Sequence, residues 1–594
     1  MFRERKPAMN GKKFRTSGLT LIELLLATGL VVIIFGGIAL SYSSILDSVT
    51  STELRTAAAT VIGREVEIIR NLAYEDVGIV GGAPSGVIPV HQTSTWNQVE
   101  FLLTTVIRNI DDPYDGTLTG SPADTAPADY KVVEIEASCP TCNRFIPLRF
   151  TTTVAPKDLE SATAQGSLFV NVYDANGSPM PGATVSVVNA SVTPSISLTD
   201  TTNNQGQLQL IGIPTSTQRY AVTVSRSGYS SDTTYLPGAP QNPNPTKPHA
   251  TVAQGTLTQA SFVIDQVSTV NVRTSDAVCA ALPDKNFSLQ GSKLIGTNPD
   301  VYKFSTSSAT DSSGMKTFAN MEWDAYAATL NEASYDIVGT IPLSPFVVNP
   351  DTVLDFRFVL KLAEPKSFLV TIKDSGTGGT ITGATLVLSK SGFSETRLTG
   401  RSSVEHTDWS GASHSSQDGN VAVGSPAGSM RLVGPPYPTS TEAWLISNTI
   451  DVGSSSSTFY AIHWSPASQP ALTSARFQVA SNNDQATWNF IGPDGTSNTY
   501  YSISGATTAV QHNGNRYLRY KTYLSTQDEN LTPEIQDVSI EFNSVCVPPS
   551  QILFDNLVVD TYTLDVSAPG YTSYSTSTSI VGDWQQAEIL LDPS

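Results

Sequence analysis

Cys139-Pro140-Thr141-Cys142 is the tightest pair of soft ligands in the chain, able to close a small disulfide loop or supply half of a zinc site. Zinc would need a second close pair, and the remaining cysteines, Cys279 and Cys546, stand singly and far apart. A bridge between Cys139 and Cys142 is the favoured pairing. Cys279 and Cys546 could join across neighbouring units, and four cysteines allow three connectivities. Hard oxygen ligands gather in Asp111-Asp112-Pro113-Tyr114-Asp115-Gly116, followed by Asp124 and Asp129 in a loop rich in Gly, Pro and Thr. Asp111, Asp112 and Asp115 are candidate calcium ligands, although the spacing is not that of an EF-hand and a solvated acidic turn is the simpler account.

Catalytic chemistry finds little support. The six histidines, His91, His249, His406, His414, His463 and His512, form no close metal pair, and neither a Gly-x-Ser-x-Gly elbow nor a phosphate loop occurs. His406, Asp408 and His414 share a Ser/Gly-rich stretch that reads as a turn. No catalytic residue, no enzyme activity and no cofactor beyond that calcium candidate are expected.

The N-terminus carries a different chemistry. Basic residues Arg3, Arg5, Lys6, Lys12, Lys13 and Arg15 precede Ser17-Gly18-Leu19-Thr20-Leu21-Ile22-Glu23-Leu24, where a small residue and one carboxylate open an apolar run from Leu19 to Leu40. An ordinary export signal places its cleavage site after the apolar core and loses the core. Cleavage after Gly18 would keep it. This order resembles the type IV prepilin signal of pilins and type II secretion pseudopilins. The resemblance implies processing after Gly18 by a prepilin peptidase, N-methylation of Leu19, and an assembly role for Glu23 against a neighbouring subunit's amino terminus. Leu19 stands where phenylalanine is commonest in that family and Leu40 where many members have proline, leaving Gly36-Gly37 as the place for the helix to soften. A carboxylate in hydrocarbon needs a partner or an interfacial depth, and one in the first helical turn is favoured by the helix dipole.

These residues require a helix to carry them. The 22-residue apolar run is long enough to cross a bilayer. Beyond it, Ala58, Ile62 and Ile69 lie on one stripe with Val61, Ile68 and Leu72 beside it, which predicts an amphipathic continuation to about Leu72. Residues 1–18 are thus a leader, 19–72 one long helix with 19–40 transmembrane, and 73–160 a small pilin-like head. Strand-like runs Glu100 to Ile107, Tyr130 to Glu136 and Arg144 to Val154 fit the sheet of such a head.

The formal charge is −19, and loss of the leader takes it to −24, which argues against nucleic acid as a partner. From Gln165 onward the chain repeats. Ser167 to Asp174 returns as Ser367 to Asp374, and Gly182-Ala183-Thr184-Val185 as Gly383-Ala384-Thr385-Leu386. A second signature, Phe318, Met321, Tyr326 and Tyr335, has the spacing of Phe554, Leu557, Tyr562 and Tyr571. Leu210, Ile213, Tyr220 and Tyr229 match it with two extra residues before Tyr220. These positions read as the core of small β-sandwiches. The pattern looks like the carboxypeptidase regulatory-like and collagen-adhesin B-type modules of bacterial surface proteins, which implies stalks and spacers. The repeats cover 165–266, 267–364, and a third unit split into 365–400 and 549–594.

The intervening 401–548 holds Trp409, Trp444, Trp464 and Trp488 and the alternating run Arg516 to Tyr523. It is similar to galactose-binding or laminin-G-like modules, and Ser481 to Trp488 distantly resembles a structural Asp-box. Trp409 and Trp444 are glycan candidates because they fall in loop-like surroundings, although a core role is the stronger expectation for both. The expected fold class is α+β multidomain: a long N-terminal pilin helix with a small β head, tandem all-β sandwiches, and an inserted jelly-roll-like sandwich. The expected function is that of a minor or tip pilin for adhesion, held in the cytoplasmic membrane by one helix with its bulk outside, in a pilus or at the cell surface. Expected partners are the peptidase, other pilin subunits, the membrane and a surface glycan or matrix ligand. The alternatives are a membrane-anchored stalk that never enters a fibre and a secretion pseudopilin.

Overall fold

The computed structural model describes residues 21–114, 116–117, 120, 127–142, 145–156, 165–424 and 428–594. Helix α1 (Leu21–Arg70) is followed by a mostly β chain of several sheets, the fold class expected at that level of detail. α1 runs through Gly36-Gly37 without interruption, so the softening expected there is not seen. Gly18 and Leu19 lie outside the described residues, and Glu23 falls in the first turn of α1.

Strands β1 (His91–Trp96), β2 (Val99–Ile110), β3 (Tyr130–Ser138) and β4 (Leu148–Val154) form an antiparallel sheet in sequence order. β2 and β3 alternate buried and half-buried residues, so one face carries Phe101, Leu103, Ile107, Val133, Ile135 and Ala137. That face packs on Ala58, Val61, Ile62, Val66 and Ile69 of α1. Ile68, expected beside the stripe, instead points to solvent, and Val66 takes the inner position. The helical rotation of 100° per residue puts 62, 66 and 69 on one line and turns 68 away from it.

Three β-sandwiches follow, each made of two facing sheets, the second with an added two-stranded ladder of Leu294–Gly296 and Val301–Tyr302. In each, the first strand lies parallel to the last: Gln165–Tyr173 beside Leu257–Val263, Ser268–Ser275 beside Val353–Leu362, and Ser367–Asp374 beside Trp584–Leu591. Parallel terminal strands make the chain enter a unit at one end and leave it at the other, so successive units continue in line. The third unit finds its partners late. Ser367–Asp374 and Thr385–Lys390 pair with Gln551–Phe554 and Asp560–Ser567, while Ser402 to Asn543 forms sheets of its own around a separate core.

The repeated tyrosines close a turn in every unit. Tyr220, Tyr326 and Tyr562 are buried, and their hydroxyls donate to the carbonyls of Pro214 (2.6 Å), Glu322 (2.7 Å) and Val558 (3.1 Å). In each case the acceptor directly follows the repeated aliphatic residue, Ile213, Met321 or Leu557. The two extra residues of the first unit therefore lengthen the turn without changing the bond. Burial pushes the Tyr220 phenol up to about 12, so it remains a donor. At the end of each first strand, Asp174, Asp276 and Asp374 each accept two backbone N–H groups of the following turn.

Candidate assembly helix and display face

The first three-fifths of α1 contributes no residue to a hydrophobic core among the described residues. Leu21, Ile22, Leu25, Leu26, Val32, Ile33, Phe35, Ile38 and Leu40 are all exposed, with Phe35 at 67 %. α1 is long and apolar enough to cross a membrane, with a mean hydropathy of 2.2 over its most apolar 18-residue window. Its lower half is apolar all round and its upper half is apolar on one stripe, so the same helix serves two environments.

Cys139 and Cys142 are joined by a disulfide with Cα atoms 5.3 Å apart, in the turn after β3. In the acidic loop, Asp112 accepts the Tyr114 N–H at 3.1 Å and donates its own N–H to the Asp129 carboxylate. These carboxylates shape the turn, and among the described residues no group of three His, Cys, Asp or Glu side chains is placed to hold a metal. Asp115 and Asp124 lie outside the described residues.

Of the two glycan candidates, Trp409 is overturned. Trp409 is fully buried, and its indole N–H donates to the Tyr520 hydroxyl at 2.6 Å. It fills the core because the edge of the ring finds a polar partner there, and no face is left for a sugar. Trp444 sits in the strand Ala443–Ser447 rather than in a loop, half-buried, with the Lys521 ammonium 4.6 Å from its ring centre. His406 and His414 are likewise spent internally, on the Tyr520 hydroxyl (3.1 Å) and the Trp409 carbonyl (2.8 Å).

The outer face around Trp444 holds several residues that inspection of single tryptophans missed. Strand Tyr517–Thr526 buries Leu518, Tyr520, Thr522 and Leu524 and turns Tyr517, Arg519, Lys521 and Tyr523 outward. Arg519 lies 4.4 Å over Trp488, Lys521 4.8 Å from Tyr523, and Arg476 3.8 Å over Tyr500. Arg476 is held by a two-point ion pair with Glu442, both bonds 2.8 Å. Burial depresses the Lys521 ammonium and Arg519 guanidinium from their ordinary values, against the pull of Asp418 and Glu442 on Lys521. The signal for this strip was the period-2 alternation of Arg516 to Tyr523. Its neighbours Arg476, Trp488 and Tyr500 come from other segments and could be found only by folding.

The inserted sheets are fastened to the second sandwich as well as to the third. Cys546 is bonded to Cys279, with Cα atoms 5.4 Å apart, and Val278 packs against the inserted core. Gly453, at φ +75°, permits this approach, since a β-carbon there would meet the Val278 carbonyl oxygen and come within 2.6 Å of the Cys279 β-carbon.

No curated protein matches the chain. Among solved structures, the Bacillus anthracis TIE protein is 11 % identical over 85 % of this chain and 74 % of that one, with a TM-score of 0.15. The shaft pilin SpaA of Lactobacillus rhamnosus GG is 13 % identical over 33 % of this chain and 98 % of its own, TM-score 0.13. The minor pilin of Streptococcus agalactiae is 11 % identical over 33 % and 96 %, TM-score 0.16. Overlaps this loose say nothing of function. Residues 167–272, most of the first sandwich and part of the opening strand of the second, match the carboxypeptidase regulatory-like domain.

Proposed function

We propose that the chain is a non-enzymatic, pilin-like surface protein, a minor or tip subunit whose β-units hold the 401–548 insert away from the cell. The observation that carries this is the division of α1. Its C-terminal part is built into the head, whereas the large apolar side chains described between Leu21 and Val49 are exposed. Exposed apolar area on that scale is unstable in water and needs a bilayer or a bundle of like helices. Glu23 at the start of α1, behind the Gly18-Leu19 junction, supports assembly through a neighbour's amino terminus. The bulk of the insert and three sandwiches, above 400 residues, would crowd a lattice of many identical subunits, which favours a minor position.

In this scheme the prepilin peptidase cleaves after Gly18, Leu19 is methylated, and the outer strip of Trp444, Tyr523, Lys521 and Trp488 is where a surface glycan or matrix protein docks. Mass spectrometry of the mature N-terminus is the test. A chain beginning at methylated Leu19 supports processing of the pilin type, and one beginning near Tyr42 overturns it. Recovery in sheared fibres separates a pilus subunit from a membrane-bound stalk, the second reading that the exposed helix also permits.

A further inference from the structure

We propose that the Cys279–Cys546 disulfide is a load bypass, which makes the connection between the first sandwich and the insert inextensible by removing most of the second and third units from the path of tension. This rests on the display reading only in supposing that force enters through the stem and leaves through the insert.

The covalent routes decide it. From Cys279, one route to the insert crosses the two sulfurs to Cys546 and reaches Asn543, the end of the last inserted strand, three residues away. The other runs through residues 280–401: the second unit beyond its first strand, then the strands Ser367–Asp374, Thr385–Lys390 and Phe393–Leu398 of the third. Tension follows the shorter route. Cys279 stands in the turn directly after the second unit's first strand, Ser268–Ser275, so the loaded stretch of that unit is that strand and its turn. Residues 547–594 lie on neither route between the stem and the insert.

The position is difficult to explain by local stability alone. The bridged residues are 267 positions apart, and each unit already has a closed core and a full complement of paired strands. The contact is built for rigidity on both sides. Cys546 is completely buried, Cys279 takes a left-handed backbone at φ +64°, Val278 is packed into the inserted core, and Gly453 leaves no gap. Without the bridge, pulling on the insert would load the third unit by its strand Phe393–Leu398, an edge strand paired only to Thr385–Lys390. An edge strand pulled at its end opens one bond at a time and is the weak point of a sheet.

The length at stake is large. Residues 280–401 span about 440 Å when extended, at about 3.6 Å per residue. Optical-tweezer stretching of the full chain in detergent, with handles on the stem near Ser51 and on the exposed inserted loop at Asn530, reads this directly. The oxidised protein should show extension steps from the head, the first sandwich and the short loaded segments 268–279 and 531–546, and none from residues 280–401. The Cys279→Ser, Cys546→Ser double variant should add steps of about 400 Å from residues 280–401, and about 450 Å more once the insert opens between residue 402 and Asn530. Should that variant fail to fold, reducing the folded, tethered wild type gives the same reading, since opening the three-residue Cys139–Cys142 loop adds no more than about 10 Å. Equal total extension with and without the bridge overturns the proposal, as does release of residues 280–401 from the oxidised chain. Neither outcome depends on whether the insert binds a ligand or the stem enters a fibre.

Discussion

At the level of single residues, the same side chains recur with the same bonds, and their bonds explain their types. Tyr326 is held by a hydroxyl-to-carbonyl bond across a turn, so Tyr326→Phe should destabilise the second sandwich by about 1–2 kcal/mol in denaturant unfolding while leaving the other units unchanged. A second recurring contact escaped the sequence comparison. Thr202, Thr310 and Thr399 are all buried, and each hydroxyl accepts a backbone N–H from the strand or turn beside it, from Ala183 (2.9 Å), Lys285 (3.0 Å) and Ala384 (2.9 Å). Threonine is common enough in this chain that no spacing marked these three out. His512 illustrates the cost of burial. Only Ser481 faces its Nδ1, at 2.9 Å, and burial lowers its pKa to about 4. The unfolded chain takes up that proton below about pH 6.5 while the folded insert stays neutral to about pH 4, so stability held above pH 6.5 is lost as the pH falls through this window. The loss should reach about 3 kcal/mol for the insert's own transition, and His512→Gln should flatten the profile.

Elements show where periodicity suffices and where it does not. The α1 stripe is a property of helical geometry, and Ala58, Val61, Ile62 and Ile69 occupy the buried face that their spacing required. Its edge was ambiguous, because Ile68 and Val66 are both aliphatic and the facing sheet chose between them. Ile62→Ala should cost about 2–4 kcal/mol in the head's thermal or denaturant transition, and Ile68→Ala less than about 0.5 kcal/mol. Equal effects would mean that the helix is rotated relative to the sheet. The strands of the head and of the repeats were legible as runs of alternation. Their order within sheets was not, since the parallel pairing of first and last strands joins segments separated by up to 217 positions and leaves no local trace.

In the whole molecule, each unit is fixed to the next by specific bonds. Arg108 grips Asp200 at two points between head and first sandwich, with bonds of 2.8 to 3.0 Å, and Asn109 reaches the Ile211 carbonyl at 2.6 Å. The loop around Asn242 to Thr246 pairs with Ile295 to Thr297 between first and second sandwiches. Between second and third, buried Gln551 accepts the Thr340 N–H at 2.7 Å and donates to Thr371 at 3.0 Å. Gln551→Leu leaves the Thr340 N–H unpaired, a loss of about 1–3 kcal/mol at this joint. Hydrogen exchange should accelerate at Thr340 while the two flanking cores keep their protection; unchanged exchange at Thr340 would show the joint to be held by other contacts. By itself the sequence determined the apolar first half of α1, the acidic surface, the β character and the recurring tyrosines, because each follows from composition or from a local period. The tertiary structure alone decided that Trp409 is core, that Arg476, Trp488 and Tyr500 meet Lys521 and Arg519 on one face, and that Cys279 reaches Cys546. Those outcomes depend on which distant strands become neighbours, and neighbours are set by the packing of whole sheets rather than by any spacing along the chain.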